Sequence, residues 1–378
     1  MGDHVVVLGA GFGGLELSTM LSEELGEDAG VTLIDKGDAF VFGFSKLDVM
    51  FGRSALADVR MPYSHFAKAG VKLVQETVLE VDPVTRTVRT DRGVHEADEL
   101  VIALGADYDI AATPGLAEVR RGGEFYSVAG AERLAPQLQA FKGGHALVAV
   151  AHAPFKCPPA PSECALMLDD LLTAGGRRSS CAITFAMALP SPVPPSPEMS
   201  EALREEFAGR GIEFLPSKRL ASVDDSAGVA HFKDGSEIAY DLLLAVPRHR
   251  APALLEGMLD DEGYVPVDPA TLQTAWDGVY AIGDVATAGV PKAGVFAEGA
   301  AKVVARSIVA RRRGEPQPGR HLGQGTCYIE FGADRIASVE IDFLSGPDKT
   351  GRFNPPSAEQ RALKDRFGSD RRGRWFGL

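Results

Sequence analysis

The first 35 residues hold an unbroken apolar run, a glycine turn, a helical repeat and a second apolar run that closes on an acid. His4-Val-Val-Val-Leu8 has the β-branched continuity of a strand buried on both faces of a parallel sheet. Gly9-Ala-Gly11-Phe12-Gly13-Gly14 follows, and Leu15, Leu17, Met20, Leu21 and Leu25 then recur at helical spacing. Val31-Thr-Leu-Ile34 is the next strand, ending at Asp35. Strand, helix and strand together have the size of one βαβ unit. In such a unit Gly9 permits the tight turn, Gly11 lets the backbone approach a pyrophosphate, and Gly14 lets the helix pack close to the strand. The helix start offers free N–H groups and the positive end of its dipole to phosphate. Asp35 stands 21 residues beyond Gly14, close to the spacing of an acid that binds a ribose hydroxyl. The unit predicts a dinucleotide site made by Gly9, Gly11, Phe12, Gly13, Gly14, Asp35 and Lys36.

A second unit of similar shape begins near residue 145. Ala146–Ala151 reads as a strand, Glu163–Leu172 as a helix and Cys181–Phe185 as the next strand, a weak duplication of the first unit. Short strands fill 71–105, ending in Glu99-Leu-Val-Ile-Ala103-Leu-Gly105. Leu189–Pro197 is a proline-rich connection. After Tyr240–Val246 the chain returns to the first domain, reaches Val279-Tyr-Ala-Ile-Gly283-Asp284 and enters a helix over about 295–311. From about Gly314 a third segment holds one strand pair and a basic end. The net charge of −13 makes nucleic acid a poor partner. The apolar run from Val5 breaks at Glu16, far short of the roughly 20 residues that span a bilayer. Four cysteines are too few for a secreted disulfide scaffold and point to catalytic or ligand roles. No cysteine or histidine spacing suggests a zinc site.

Gly283-Asp284 ends one strand just before a helix, and Ala103-Leu-Gly105 ends another. An Asp so placed binds a ribityl chain or merely caps a turn. With the first unit, these pieces resemble the flavoproteins with two dinucleotide domains, which hold FAD in the first. The resemblance implies an α/β fold of two Rossmann-like domains, glutathione-reductase-like, plus a small C-terminal segment. Residues 1–105 and 236–313 then form the FAD-binding domain, 106–235 the second domain and 314–378 the remainder. Members that use a pyridine nucleotide repeat the glycine turn in the second unit. Here Ala151-His152-Ala153-Pro154 stands there, crowded by side chains and short of the Pro154 N–H, which disfavours NAD(P)H.

Pro154-Phe-Lys-Cys157-Pro-Pro-Ala-Pro-Ser-Glu163 resembles the active-site segment of the sulfide:quinone oxidoreductase and flavocytochrome c sulfide dehydrogenase family. Thr326-Cys327-Tyr328 and Pro291-Lys292-Ala-Gly294 match that family too. The resemblance implies that Cys157 and Cys327, 170 positions apart, work as a redox pair. It makes Glu163 a proton carrier and Lys292 a cation toward the reduced flavin. Sulfide, or a related persulfide or thiol, would attack the pair's disulfide, and electrons would pass through FAD to a quinone. Cys181 and Cys164 read as buried hydrophobes, and His152 as an ordinary turn residue.

Phe40-Val-Phe-Gly43-Phe44 occupies the loop where the flavocytochrome branch tethers its flavin by cysteine, so FAD is expected to be non-covalent. Residues 106–153 lack a third cysteine, which opposes a three-cysteine sulfur bridge. The end of the chain holds Arg361, Lys364, Arg366, Arg371, Arg372 and Arg374 with Phe367, Trp375 and Phe376. Such a segment can lie on an anionic bilayer, stay solvated or pack on the protein. No charged n-region with an apolar stretch behind it precedes the first strand, so the expected location is cytoplasmic, with peripheral contact on the inner face of the membrane if this end meets it. A homodimer is compatible with the sequence. Two rivals stand beside this reading: a type II NADH:quinone oxidoreductase, and a flavin-containing redox sensor with little turnover. The purified protein should be yellow and release intact FAD on acid precipitation; flavin pelleting with the chain would reveal a covalent tether. Asp35→Ala should weaken FAD retention.

Overall fold

A computed structural model describes residues 4–378. The chain opens with β1 (Val5–Leu8), α1 (Phe12–Leu25), β2 (Val31–Asp35), the short helix α2 (Ser45–Met50), β3 (Val71–Gln75) and β4 (Glu99–Ile102). It continues through β5 (Gly122–Glu124), β6 (Gly144–Val150), α3 (Ala160–Ala174), β7 (Cys181–Ala186), β8 (Ile212–Leu215) and β9 (Leu242–Val246). It then returns with β10 (Val279–Ala281) and α4 (Gly294–Arg313). The last segment adds β11 (Gln324–Glu330), β12 (Ile336–Asp342), β13 (Thr350–Asn354) and α5 (Ala358–Arg371).

Two parallel five-stranded sheets organise the molecule, in the orders β10-β4-β1-β2-β3 and β5-β9-β6-β7-β8. β1 and β6 are the central strands, so the weak repeat in sequence is a repeat of sheet order. β1 is fully buried, as its apolar run requires. At the end of β1 the backbone of Gly9 has φ +99°, and a Cβ there would stand 2.4 Å from the Ala103 carbonyl oxygen. A Cβ on Gly14 would stand 1.9 Å from the Gly9 carbonyl oxygen. Both positions exclude any side chain, which lets α1 start directly over the sheet.

The C-terminal segment differs from expectation. It is a three-stranded antiparallel sheet, β11-β12-β13, followed by α5, rather than a single strand pair. Nor is its end laid out for a bilayer. Trp375 and Phe376 are 1% and 4% exposed, and Trp375 meets Phe12 and Phe40 edge-on at 5.7 and 5.6 Å between ring centroids. The indole Nε1 donates to Glu16 at 2.9 Å, Arg374 pairs with Glu16 and Glu23, and Arg371 grips Glu298 through two hydrogen bonds. Burial pushes the Glu16 carboxyl up, but Arg374 and Trp375 outweigh it and hold the group below its usual range. Acids on α1 and α4 and an aromatic recess around Phe12 thus claim Arg371, Arg374, Trp375 and Phe376, while Lys364 and Arg361 pair with Glu330 and Asp334. No helix among the described residues is long and apolar enough to cross a membrane. Trp375→Ala should cost about 3–5 kcal/mol of stability in urea denaturation; a loss under about 1 kcal/mol would mean that the end is not docked.

Candidate active site

The strands of both sheets are parallel, so turns gather at their C-terminal ends, where open α/β sheets bind ligands. A cavity of about 230 Å³ lies there. Gly11, Phe12 and Gly13 line it from the first turn, Ala103 and Gly105 from beyond β4, and Gly283 and Asp284 from beyond β10. Lys292 enters from the loop before α4, and Cys157 and Glu163 enter from the second sheet's side. Gly9, Gly14, Asp35 and Lys36 do not line it. Asp35 braces the turn, accepting the Ala10 N–H through Oδ2 and the Gly37 N–H through Oδ1, each at 2.7 Å. Lys36 is exposed.

The cavity's polar groups fit a flavin dinucleotide. Asp284 Oδ1 is buried and has no hydrogen-bond partner among the described residues, as an oxygen awaiting a hydroxyl would be. Burial pushes the Asp284 carboxyl up, while Lys156, Lys292 and Lys46 pull it down. No atom lies within 4 Å of where a Gly11 Cβ would stand, so that backbone is open to an approaching group.

Three lysines converge on the cavity, and sequence reasoning singled out only Lys292. Lys292 Nζ donates to the Ala286 carbonyl at 3.2 Å and sits 3.4 Å from the centre of the Tyr264 ring. Burial holds it down to about 8. Lys156 Nζ lies 4.4 Å from the centre of the Tyr108 ring and donates to the Tyr108 hydroxyl at 3.3 Å. Lys46, from α2, donates to the Tyr126 carbonyl at 2.5 Å. Lys156 could have been noticed beside Cys157. Lys46 gives no local signal, because it reaches the site from 111 positions before Cys157.

Cys157 occupies the loop between β6 and α3 with φ +46°, a left-handed conformation that costs a non-glycine residue roughly 1–2 kcal/mol. Its amide donates to the Lys292 carbonyl at 2.7 Å, and its carbonyl accepts the Ala160 N–H at 2.9 Å. Cys327 lies on β11, and all four cysteines are free thiols in this structure. Burial pushes both site thiols up, Cys327 to about 12, with the Glu163 charge next in effect on each; Cys157 also feels the charge of Cys327. Glu163, in the first turn of α3, accepts the Glu330 N–H of β11 at 2.9 Å, which ties the helix beyond Cys157 to the strand of Cys327. Its burial raises the carboxyl to about 7. Cys164 and Cys181 are core residues, and His152 lines neither this cavity nor the next one.

That next cavity, of about 530 Å³, is lined by Cys327 and mainly by apolar groups such as Pro154, Phe155, Leu189, Val339 and Phe343. Lys292 and Ala293 border both spaces. Cys157 therefore faces one chamber and Cys327 the other.

Two parallel α/β units meeting at a thiol-bearing cavity define a two-domain dinucleotide-binding oxidoreductase. The model of the pyridine nucleotide-disulphide oxidoreductases matches residues 3–148 and 162–310, and the chain belongs to that family. The family implies a flavin cofactor, which the cavity's donors and acceptors fit. The chain is 27% identical over 370 residues to the mitochondrial sulfide:quinone oxidoreductase of Mus musculus, covering 93% of this chain and 80% of the relative. It shares its fold with the crystal structure of the sulfide:quinone oxidoreductase from Aquifex aeolicus, at TM-score 0.86 and 21% identity, over 97% of this chain and 90% of that one. A type II NADH:quinone oxidoreductase of Staphylococcus epidermidis is 36% identical, but over 103 residues only, 27% of this chain and 26% of the relative.

The raised carboxyl of Glu163 gives a testable pH dependence. Protons bind it more tightly in the folded than in the unfolded chain, so its burial costs nothing well below 4.5 and destabilises increasingly as pH rises through about 7. Urea midpoints of parent and Glu163→Gln should therefore diverge over that window, the variant gaining roughly 3 kcal/mol at the alkaline end.

Proposed function

We propose that the chain is an FAD-dependent oxidoreductase that oxidises sulfide, or a related low-molecular-weight persulfide or thiol, through Cys157 and Cys327 and passes the electrons to a quinone. The observation that carries this reading is the partition of two chambers by two cysteines, one on the dinucleotide side and one on the apolar side. The full-length similarity to sulfide:quinone oxidoreductases supports the same chemistry.

In the oxidised enzyme the two sulfurs form a disulfide. Hydrosulfide attacks Cys327 Sγ from the apolar chamber, and the bond to Cys157 breaks. The electron pair leaves on Cys157 Sγ as a thiolate, and Cys327 keeps the incoming sulfur as a persulfide. Glu163 lines the Cys157 chamber and its charge acts on both sulfurs. With its carboxyl near 7 it stores the proton released as sulfide adds to Cys327 and returns it when the persulfide sulfur is handed to an acceptor. FAD, when bound, supplies a two-electron acceptor that can pass the pair to a quinone. The turn from Gly11 to Gly13 and Asp284 would hold it, and Lys292 would place positive charge at the lining of the same cavity. The crowded turn after β6 opposes the NADH rival, whose Staphylococcus epidermidis representative is similar over 27% of the chain.

Anaerobic mixing tests this directly. Sulfide should bleach the flavin rapidly, while NADH and NADPH should do so poorly; fast stoichiometric bleaching by NADH would promote the rival. Cys157→Ser and Cys327→Ser should each abolish sulfide-driven bleaching and retain FAD, whereas Cys164→Ser and Cys181→Ser should keep most of it. A peptide linking Cys157 to Cys327 should appear by mass spectrometry in the untreated protein and vanish on reduction.

A further inference from the structure

We propose that Lys46 is a positioning residue that stabilises the Cys157 thiolate from across the dinucleotide cavity. The proposal rests on the reading of Cys157 as the flavin-side thiol.

The need follows from the site's own chemistry. Opening the disulfide leaves a full negative charge on a buried sulfur. Burial opposes that charge first, and Glu163 and Cys327 oppose it further whenever they are ionised. The groups that act on Cys157 come from several elements: Glu163 from α3, Cys327 from β11, Tyr126 from the segment after β5 and Lys46 from α2, with Lys156 beside Cys157 in its own loop and turned onto Tyr108. Lys292 meets it through a backbone carbonyl.

Of the three lysines on the cavity, two have their ammonium groups engaged elsewhere. Lys156 is turned onto the ring and hydroxyl of Tyr108, and Lys292 onto the ring of Tyr264. Lys46 is held differently. Its Nζ donates to the Tyr126 carbonyl at 2.5 Å, and the hydroxyl of the same tyrosine donates to the Cys157 carbonyl at 3.4 Å. One tyrosine thus braces the ammonium at one end and the sulfur's backbone at the other. Lys46 and Cys157 both line the cavity, and the Lys46 charge favours the Cys157 thiolate. Burial, and then repulsion from Lys156, hold its own ammonium down to about 8, while Cys157, Glu124 and Asp284 act the other way. It therefore carries its charge at neutral pH. A fixed cation in a low-dielectric wall acts strongly on a charge that appears only when the sulfur is released.

The test reads the acidity of Cys157 without turnover. The full chain is reduced, stripped of flavin or left loaded, and treated with iodoacetamide across a range of pH; the modified Cys157 peptide is followed by mass spectrometry. Lys46→Met should slow alkylation of Cys157 about tenfold near neutral pH and move the profile up by about one pH unit. Lys46→Arg should restore most of the rate, and Lys156→Met should change it less than about threefold. If Lys46→Met does not fold, Lys46→Gln takes its place, with the same shift expected. A charge-free variant with an unaltered melting temperature and the parent's profile overturns the proposal, as does an equal shift in Lys156→Met. Sulfide inertness with the expected alkylation shifts would count against the proposed reaction and leave the role of Lys46 standing.

Discussion

The hydrogen bond from the Cys157 amide to the Lys292 carbonyl joins the loop of one sheet to the loop that starts α4 on the other. Each half of the site depends on that junction. Without it the dinucleotide turn would face an empty wall, and the cysteine loop would be an ordinary connection between β6 and α3. The junction also fixes Cys157 in a left-handed conformation that the sequence around it does not favour. Cys157 is held on both sides, its amide donating to the Lys292 carbonyl and its carbonyl accepting the Ala160 N–H, which is how such a conformation persists.

Around this junction burial sets the electrostatics. Glu163 rises to about 7, while Lys46 and Lys292 fall to about 8, so acids and bases that differ widely in water come within reach of one another near neutral pH. The same burial that makes thiolates costly makes a nearby cation effective. Glu163 adds a mechanical role, since its bond to the Glu330 amide fastens β11 beside α3 and thereby places Cys327. The C-terminal end completes the assembly from outside. Trp375 and Arg374 hold Glu16 of α1, and Arg371 holds Glu298 of α4, so the two helices flanking the dinucleotide turn are fixed by a segment more than 300 residues from the first of them.

The sequence by itself determined the first βαβ unit, because strand burial, glycine requirements and helical periodicity are all local. Gly14 is glycine for a reason visible within a few residues, the Gly9 carbonyl, whereas Gly9 is held to glycine by its own positive φ and by the Ala103 carbonyl 94 residues away. Asp284 and Cys157 were legible as chemistry because an unusual local context surrounds them, a strand end before a helix in one case and a proline-rich turn in the other. Only the tertiary structure decided which charges meet. Lys46, Lys156 and Tyr126 carry no local mark, and their places come from packing between segments far apart in the chain. The basic, aromatic end shows the same dependence: composition alone left a bilayer surface and the protein's own surface open, and Glu16, Glu23, Glu298 and the Phe12 recess, far away in sequence, engage Arg371, Arg374 and Trp375. Local pattern reports what a segment can do alone. Which partner it meets is set by long-range contacts that no short stretch of sequence encodes.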